Sequence, residues 1–302
     1  MPNRTENEVH AFVVLNPVAG SDDSDTIRQI LERGLSEAGW SYDLHETRAN
    51  EDIEAVVREA PPEIYDVVIA AGGDGTVSGV AGGLIHTEVP MGVVPVGTGN
   101  ALARDLGIPM SPEEAIQLIT GPHATETVDA LRIGDNHYFL NISVGVSAGT
   151  MEGAKRDEKR RMGLLAYLIS GIQELAGIQP ARFELTVDGV SHTIKAADVI
   201  VFNKGVIGST LVSQNPYIDL DSGEVGVFIF RSRSAFRYLI SLIETVLGRA
   251  GDSRHVETMR ASDTIVIRPA INLPIQADGE PLDLDAVEAH IIPQAVRVIV
   301  AT

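Results

Sequence analysis

Cysteine is absent from all 302 residues, which excludes a disulfide framework, a thiol nucleophile and any cysteine–zinc site. Positive charge is scarce: 23 Lys and Arg stand against 42 Asp and Glu, a net charge of −19. A duplex DNA or RNA binder needs a basic face, so that class is argued against. An anionic substrate would have to be met by local donors and metal, because the field of the whole chain repels it. Only four of the 23 bases are lysine, which genome composition and salt adaptation explain equally. No uncharged apolar run reaches the roughly 18 residues of a membrane span, and the longest candidate, Val89–Ala103, is broken by Gly and Pro. Residues Met1 to His10 are polar and lack the apolar core of a signal peptide. The expectation is a soluble, cytoplasmic protein. Apolar residues at 44 % are enough for a sizeable core, and the length suits about two domains.

The first 120 or so residues alternate between two hydrophobic periods. Val9–Asn16, ended by Pro17, reads as a buried strand, and Ile27, Ile30, Leu31, Leu35 and Ala38 mark one helix face over Asp25–Ala38. Ser41–His45 and Glu51–Ala60 repeat the pair. Tyr65–Ala71 is a strong strand before a small-residue helix from Thr76 to Ile85, and Met91–Val96 is another strand before a short helix from Asn100. Ser111 reads as an N-cap, with Pro112 at the first helical position of Glu113–Thr120. Strand alternating with helix predicts a parallel sheet. Gly121-Pro122 ends that regime. Hairpins then follow, Thr127–Ile133 with His137–Val144 and Arg182–Val187 with Ser191–Ile194, and later strands at Asp198–Phe202, Glu224–Phe230, Thr264–Arg268 and Val296–Val300. Helices near Arg161–Ala176 and Ser234–Leu247 interrupt this half, which reads as a β-sandwich. The fold class expected is therefore α/β plus all-β: an N-terminal Rossmann-like domain over 1–126 and a β-sandwich domain over 127–289.

Three Gly-rich turns in the first half each follow a strand and open a helix: Asn16-Pro17-Val18-Ala19-Gly20, Gly72-Gly73-Asp74-Gly75-Thr76 and Gly97-Thr98-Gly99-Asn100. In a parallel sheet such turns share the carboxyl edge, where ligands bind. Glycine admits close approach, exposed N–H groups at a helix start bind phosphate, and Thr76 and Thr98 add donors. Asp74 repels a phosphate unless it binds a metal or takes a proton. Gly73, Gly75 and Gly79 give a spacing one residue too long for the dinucleotide fingerprint, and no P-loop sequence exists. In the second half, Asp278-Gly279-Glu280 is an acidic pair on a Pro-bounded segment. In an extended chain its two carboxylates would face one side and could take a proton from an attacking alcohol. An ordinary acidic turn reads the same way.

The ordered set of NPVAG at 16–20, GGDGT at 72–76, PVGTGNALAR at 95–104, FLN at 139–141, LAYL at 165–168 and DGE at 278–280 resembles the diacylglycerol kinase catalytic-domain superfamily over nearly the whole chain. The resemblance implies an ATP- and Mg²⁺-dependent lipid kinase with a nucleotide cleft between two domains. It also implies a last segment, 290–302, that returns to the first domain. The implied nucleotide contacts are Asn16, Pro17, Val18, Ala19, Gly20, Thr47, Gly72 to Gly79 (including Val77 and Ser78), Gly97, Thr98 and Asn100. Ser78 and Gly79 stand where the family often has Asn and Glu. The implied catalytic residues are Glu280 as proton acceptor with Asp278 as partner, roles that could be exchanged, and Asp74 as metal ligand or rival base. A structural Mg²⁺ loop is implied at Asp219, Ser222 and Glu224, with Ser222 in place of the usual Asp and Asp221 as a substitute.

Lys155–Arg161 carries five bases and two acids beside an apolar helical face of Met162, Leu164, Leu165, Leu168, Ile169 and Ile172. It reads either as a peripheral contact with an anionic membrane carrying the lipid substrate or as a solvated loop before a core helix. Three other functions fit parts of the sequence. An NAD kinase shares GGDGT. A serine hydrolase would use Gly145-Val146-Ser147-Ala148-Gly149 with Asp198 and His255 or His290. A nucleotide-binding regulator would lack catalysis. The identity of the lipid and the oligomeric state have no signature here.

Overall fold

The computed structural model describes residues 9–20, 24–60, 64–148, 180–203, 223–232, 237, 238, 240, 241 and 255–302. It divides into two compact units, 1–128 with 294–302, and 129–293.

In the first unit, β1 (His10–Leu15), β2 (Ser41–Glu46), β3 (Val67–Gly72) and β4 (Met91–Pro95) form a parallel sheet in the order β2-β1-β3-β4. Beside β4 runs the end of the last strand, β16 (Val287–Val300), with Val298 opposite Met91. All residues of β3 and β4 are buried, as a parallel strand covered on both faces requires, and this is why they read as unbroken apolar runs. The helix α1 (Ser24–Glu37) buries Ile27, Ile30, Leu31 and Leu35, one stripe at helical spacing, and packs against α5 (Pro112–Thr120). The Ser111 hydroxyl accepts from the Glu114 amide with Pro112 at the start of α5, so that cap forms where its sequence signal lies.

The helix α2 (Ile53–Glu59) is capped by Asp52 and packs against α3 (Asp74–Leu84), whose start falls two residues before the expected Thr76. A Cβ on Gly79 would lie 2.8 Å from the Ile53 Cβ, and one on Gly83 2.5 Å from the Val57 Cβ. These glycines let two helices approach closely. A short helix, α4 (Ala101–Asp105), follows β4.

The second unit is an antiparallel β-sandwich. One sheet is built from β8 (Ala181–Val187), β9 (Val190–Ala196), β13 (Thr264–Pro269) and the first part of β16, with β5 (Ala124–Ile133) and β6 (Asn136–Tyr138) alongside. The other has the order β12 (Val256–Ala261), β11 (Val225–Phe230), β10 (Asp198–Phe202), β7 (Asn141–Gly145), β14 (Ile275–Ala277) and β15 (Glu280–Leu282). Alternate residues of the two sheets, such as Ile142, Val144, Val199, Val201 and Val227 with Phe183, Leu185, Ile265, Ile267 and Val287, make the core between them.

The expected strand His137–Val144 is two strands that belong to different sheets, β6 and β7. The chain turns at Phe139-Leu140 because the amides of Phe139, Leu140 and Asn141 all donate to the Asp278 carboxylate. The expected helix at 161–176 lies outside the described residues. Of that at 234–247, the described residues 237, 238, 240 and 241 are helical.

The wholly buried Asp198 joins three segments of this unit, since it accepts from the Ser147 amide at 3.1 Å and the Tyr238 hydroxyl at 2.5 Å. Burial pushes its carboxyl up from the ordinary 3.8 to about 6, against the lowering effect of those hydrogen bonds. The native state therefore holds this proton more tightly than the unfolded chain. The stability gained is complete below about pH 4 and is lost as pH rises through about 6, a change of about 3 kcal/mol. Asp198→Asn removes the titration and keeps an oxygen for both donors. Melting temperatures of the two proteins are expected to diverge in favour of the variant as pH rises from 4 to 7. A difference that does not change with pH would contradict this.

Candidate active site

The Gly-rich loops of the first unit meet at the carboxyl edge of its sheet, and close contacts lock them together. The Asn16 side chain donates to the Thr76 hydroxyl at 3.1 Å and accepts from the Val18 amide at 3.1 Å, which fixes the 16–20 turn over the start of α3. Gly20 is left-handed (φ 72), and a Cβ there would lie 1.9 Å from the Val96 carbonyl oxygen. A Cβ on Gly97 would lie 2.5 Å from the Gly73 Cα. Asp74 accepts from the amides of Asn100 at 2.9 Å and Ala101 at 2.5 Å, so it caps the helix that starts in the neighbouring loop. That contact explains how an anion is tolerated at this junction of loops, because amide dipoles at a helix start stabilise negative charge.

The start of α3 has no such cap: Gly73 is its N-cap residue and makes no side-chain hydrogen bond there. The first amides of a helix have no carbonyl partner within it. Gly75, Thr98 and Gly99 are exposed beside them. Thr47, at the end of β2, is buried and donates its amide to Leu15. Val77 turns into the core. Gly79 faces Ile53, so its lack of a side chain answers to helix packing.

Gly20→Ala tests the interlock. It is expected to cost roughly 2–3 kcal/mol in urea unfolding, since a backbone clash adds to left-handed strain. Gly39→Ala, at a φ of 73 but with nothing within 4 Å, is expected to cost only about 1 kcal/mol. Equal losses at the two positions would show that the contact with Val96 contributes nothing.

In the second unit Asp278-Gly279 is the two-residue turn between β14 and β15, with Ala277 opposite Glu280. Asp278 has φ 49 and Gly279 φ 86, the left-handed pair of a tight hairpin. The expected extended geometry, with both carboxylates turned to one side, is therefore not the one adopted. The Asp278 carboxylate accepts from Phe139 at 2.8 Å, Leu140 at 2.9 Å and Asn141 at 3.0 Å, while Glu280 is exposed. FLN and DGE, 137 residues apart between Asn141 and Asp278, are thus one structural knot. Gln276, which sequence reasoning passed over, lies beneath it and bonds Asn141, Ser143 and Gly279. Its only signal was a polar residue in an otherwise apolar strand.

Among the described residues no three His, Asp or Glu groups come together as a metal cage. Mg²⁺ is commonly held by one or two carboxylates with substrate phosphates and water, and Asp74 beside the exposed amides fits that partial role. Asp219 and Ser222 of the expected metal loop, like Asp221, lie outside the described residues. Glu224 pairs with Arg260 at 3.1 Å, and the adjacent Gly223 amide donates to buried Asp129 at 2.8 Å. Of the hydrolase residues, Ser147 and Asp198 are neighbours and His290 bonds elsewhere. The Ser147 amide meets Asp198 directly, and His290 lies at 3.4 Å from the Thr264 hydroxyl and 3.7 Å from Glu288. Gly149 of that motif, the basic run 155–161 and the apolar face that follows it lie outside the described residues.

Residues 10–133 match the diacylglycerol kinase catalytic domain, and residues 141–300 match the YegS C-terminal NAD kinase beta sandwich-like domain. The chain belongs to the diacylglycerol kinase family of lipid kinases. It is 30 % identical to the diacylglycerol kinase of Mycobacterium tuberculosis (strain CDC 1551 / Oshkosh) over 78 % of this chain and 76 % of that one. It is 26 % identical to the diacylglycerol kinase of Bacillus subtilis (strain 168) over 89 % of each. A crystal structure from Bacillus anthracis str. Sterne shares the fold, with a TM-score of 0.80 at 22 % identity over 99 % of this chain and 98 % of that one. As a member of this family the kinase is a phosphotransferase. Among its described residues no helix is long and apolar enough to cross a membrane.

Proposed function

We propose that this kinase transfers the γ-phosphoryl group of ATP, with Mg²⁺, to the hydroxyl of a lipid of diacylglycerol-like or sphingoid-like type, met at a membrane surface by a peripheral contact. The observation that carries the nucleotide half is the convergence of three Gly-rich loops around the uncapped start of α3. Amides of Gly73 to Thr76 and of Thr98 and Gly99 would hold the phosphates, with Thr98 also as an exposed hydroxyl donor, while the Gly97 amide is taken by the Gly72 carbonyl. Such a cradle suits phosphoryl transfer, which asks mainly for positioning and for charge neutralisation. Bound with the nucleotide near Asp74, Mg²⁺ would supply further neutralisation of the phosphate charge.

Glu280 acts as the base. It accepts the hydroxyl proton as the lipid oxygen bonds to the γ-phosphorus and the bond to the β-phosphate oxygen breaks, leaving ADP. Asp278 holds the turn and does not take the proton, because both its oxygens accept backbone amides. The relatives described as diacylglycerol kinases favour a glycerolipid acceptor.

The test is incubation with γ-labelled ATP and Mg²⁺ against diacylglycerol, monoacylglycerol, sphingosine, ceramide, phosphatidylglycerol and NAD. Label in an organic-soluble product supports the reading. Label in NAD alone, or in no acceptor, refutes it.

A further inference from the structure

We propose that Gln276 is a positioning residue for the transfer reaction, its side-chain amide locking the Asp278-Gly279 turn in the backbone conformation that presents Glu280. The inference rests on Glu280 being the base. Gln276 is 3 % exposed, in the middle of β14 and opposite Ser143 of β7. Its Oε1 accepts from the Gly279 amide at 2.7 Å. Its Nε2 donates to the Asn141 Oδ1 at 2.8 Å and to the Ser143 Oγ at 2.8 Å.

The Gly279 amide can only donate, which fixes which way round the Gln276 side chain sits: its oxygen meets Gly279 and its NH₂ group meets Asn141 and Ser143. That matters because both turn residues are left-handed, and an unpaired amide at Gly279 would leave the turn free to change type. Asp278 anchors the turn from the Phe139–Asn141 side, and Gln276 anchors it from the strand below. Glu280 is the next residue, and it is exposed. Its placement follows from the turn, since a small misplacement of a reacting group costs rate without loss of binding.

Gln276→Met removes both halves of the amide at similar length. It is expected to lower kcat about tenfold or more while KM for ATP and lipid stay within about twofold. Hydrogen exchange at the Gly279 amide is expected to quicken at least about tenfold. Gln276→Glu keeps an acceptor for Gly279, and the Asn141 amide and Ser143 hydroxyl can both turn to donate to it. This variant is expected to recover most of kcat and of the Gly279 protection, and it serves as the test should Gln276→Met not fold. Wild-type kcat with an unprotected Gly279 amide would overturn the proposal, as would a loss in Gln276→Glu equal to that in Gln276→Met. Glu280→Gln in the same assay separates the two readings. If it matches wild type, the base assignment fails and this inference with it; if it is inactive while Gln276→Met is fully active, only the inference fails.

Discussion

Asp278→Ala is expected to destabilise the second unit by about 3–5 kcal/mol in denaturant unfolding and to abolish turnover as a consequence. Three backbone amides, of Phe139, Leu140 and Asn141, lose their acceptor at once. Each buried donor left unmatched costs about 1–3 kcal/mol, and water can replace only part of that. Alanine also meets the left-handed backbone at φ 49, which Asp and Asn tolerate better. Asp278→Asn separates the contributions, because its remaining oxygen can serve Leu140 and Asn141 while its NH₂ group opposes Phe139. An intermediate loss is expected for it. Two variants of wild-type stability would mean that the carboxylate does not hold the knot.

Glu280→Gln is expected to behave in the opposite way. The side chain is exposed at the first position of β15, so the unfolding midpoint should stay close to that of wild type. Nucleotide affinity should also hold, since the proposed phosphate contacts come from the loops of the first unit. What goes is the proton acceptor, and kcat should fall by about 10²–10⁴. On the proposed mechanism the acidic pair thereby divides into a residue that builds the turn and a residue that reacts. Unfolding and turnover measured together distinguish the two roles, which a loss of activity alone does not.

That Asp278 builds a turn was not legible in the sequence, and the reason is physical. An Asp-Gly-Glu segment reads as acidic whether it is extended or turned. The partners that decide the matter, the amides of 139–141, are brought in by the fold from more than 130 residues away, as in the 137 between Asn141 and Asp278. The same contact breaks what reads as one strand, His137–Val144, into two strands of different sheets. A pattern of alternating residues cannot report that break, because the residues on both sides of it keep their alternation.

Local signals did survive folding. The stripe Ile27, Ile30, Leu31 and Leu35 is buried as its spacing predicts, and Ser111 caps α5. These depend on neighbours within one or two turns of chain. The glycine loops fall between the two cases. Their places after β1, β3 and β4 were readable, but the reasons for individual residues were not. Gly79 answers to Ile53 in another helix, and Asp74 caps a helix in the next loop. Gln276 carried no readable role at all, since it matters only through Gly279, Asn141 and Ser143, which the fold places around it.

The most direct measurement is single-turnover transfer of labelled γ-phosphate from saturating ATP and Mg²⁺ into a lipid acceptor, for wild type and for Glu280→Gln. Expected is labelled lipid from wild type, with the rate of its formation reduced by about 10²–10⁴ in Glu280→Gln while both proteins bind ATP equally. Lipid labelled at the same rate by both, or by neither, would contradict the assignment of the transfer reaction to this chain's Asp-Gly-Glu turn.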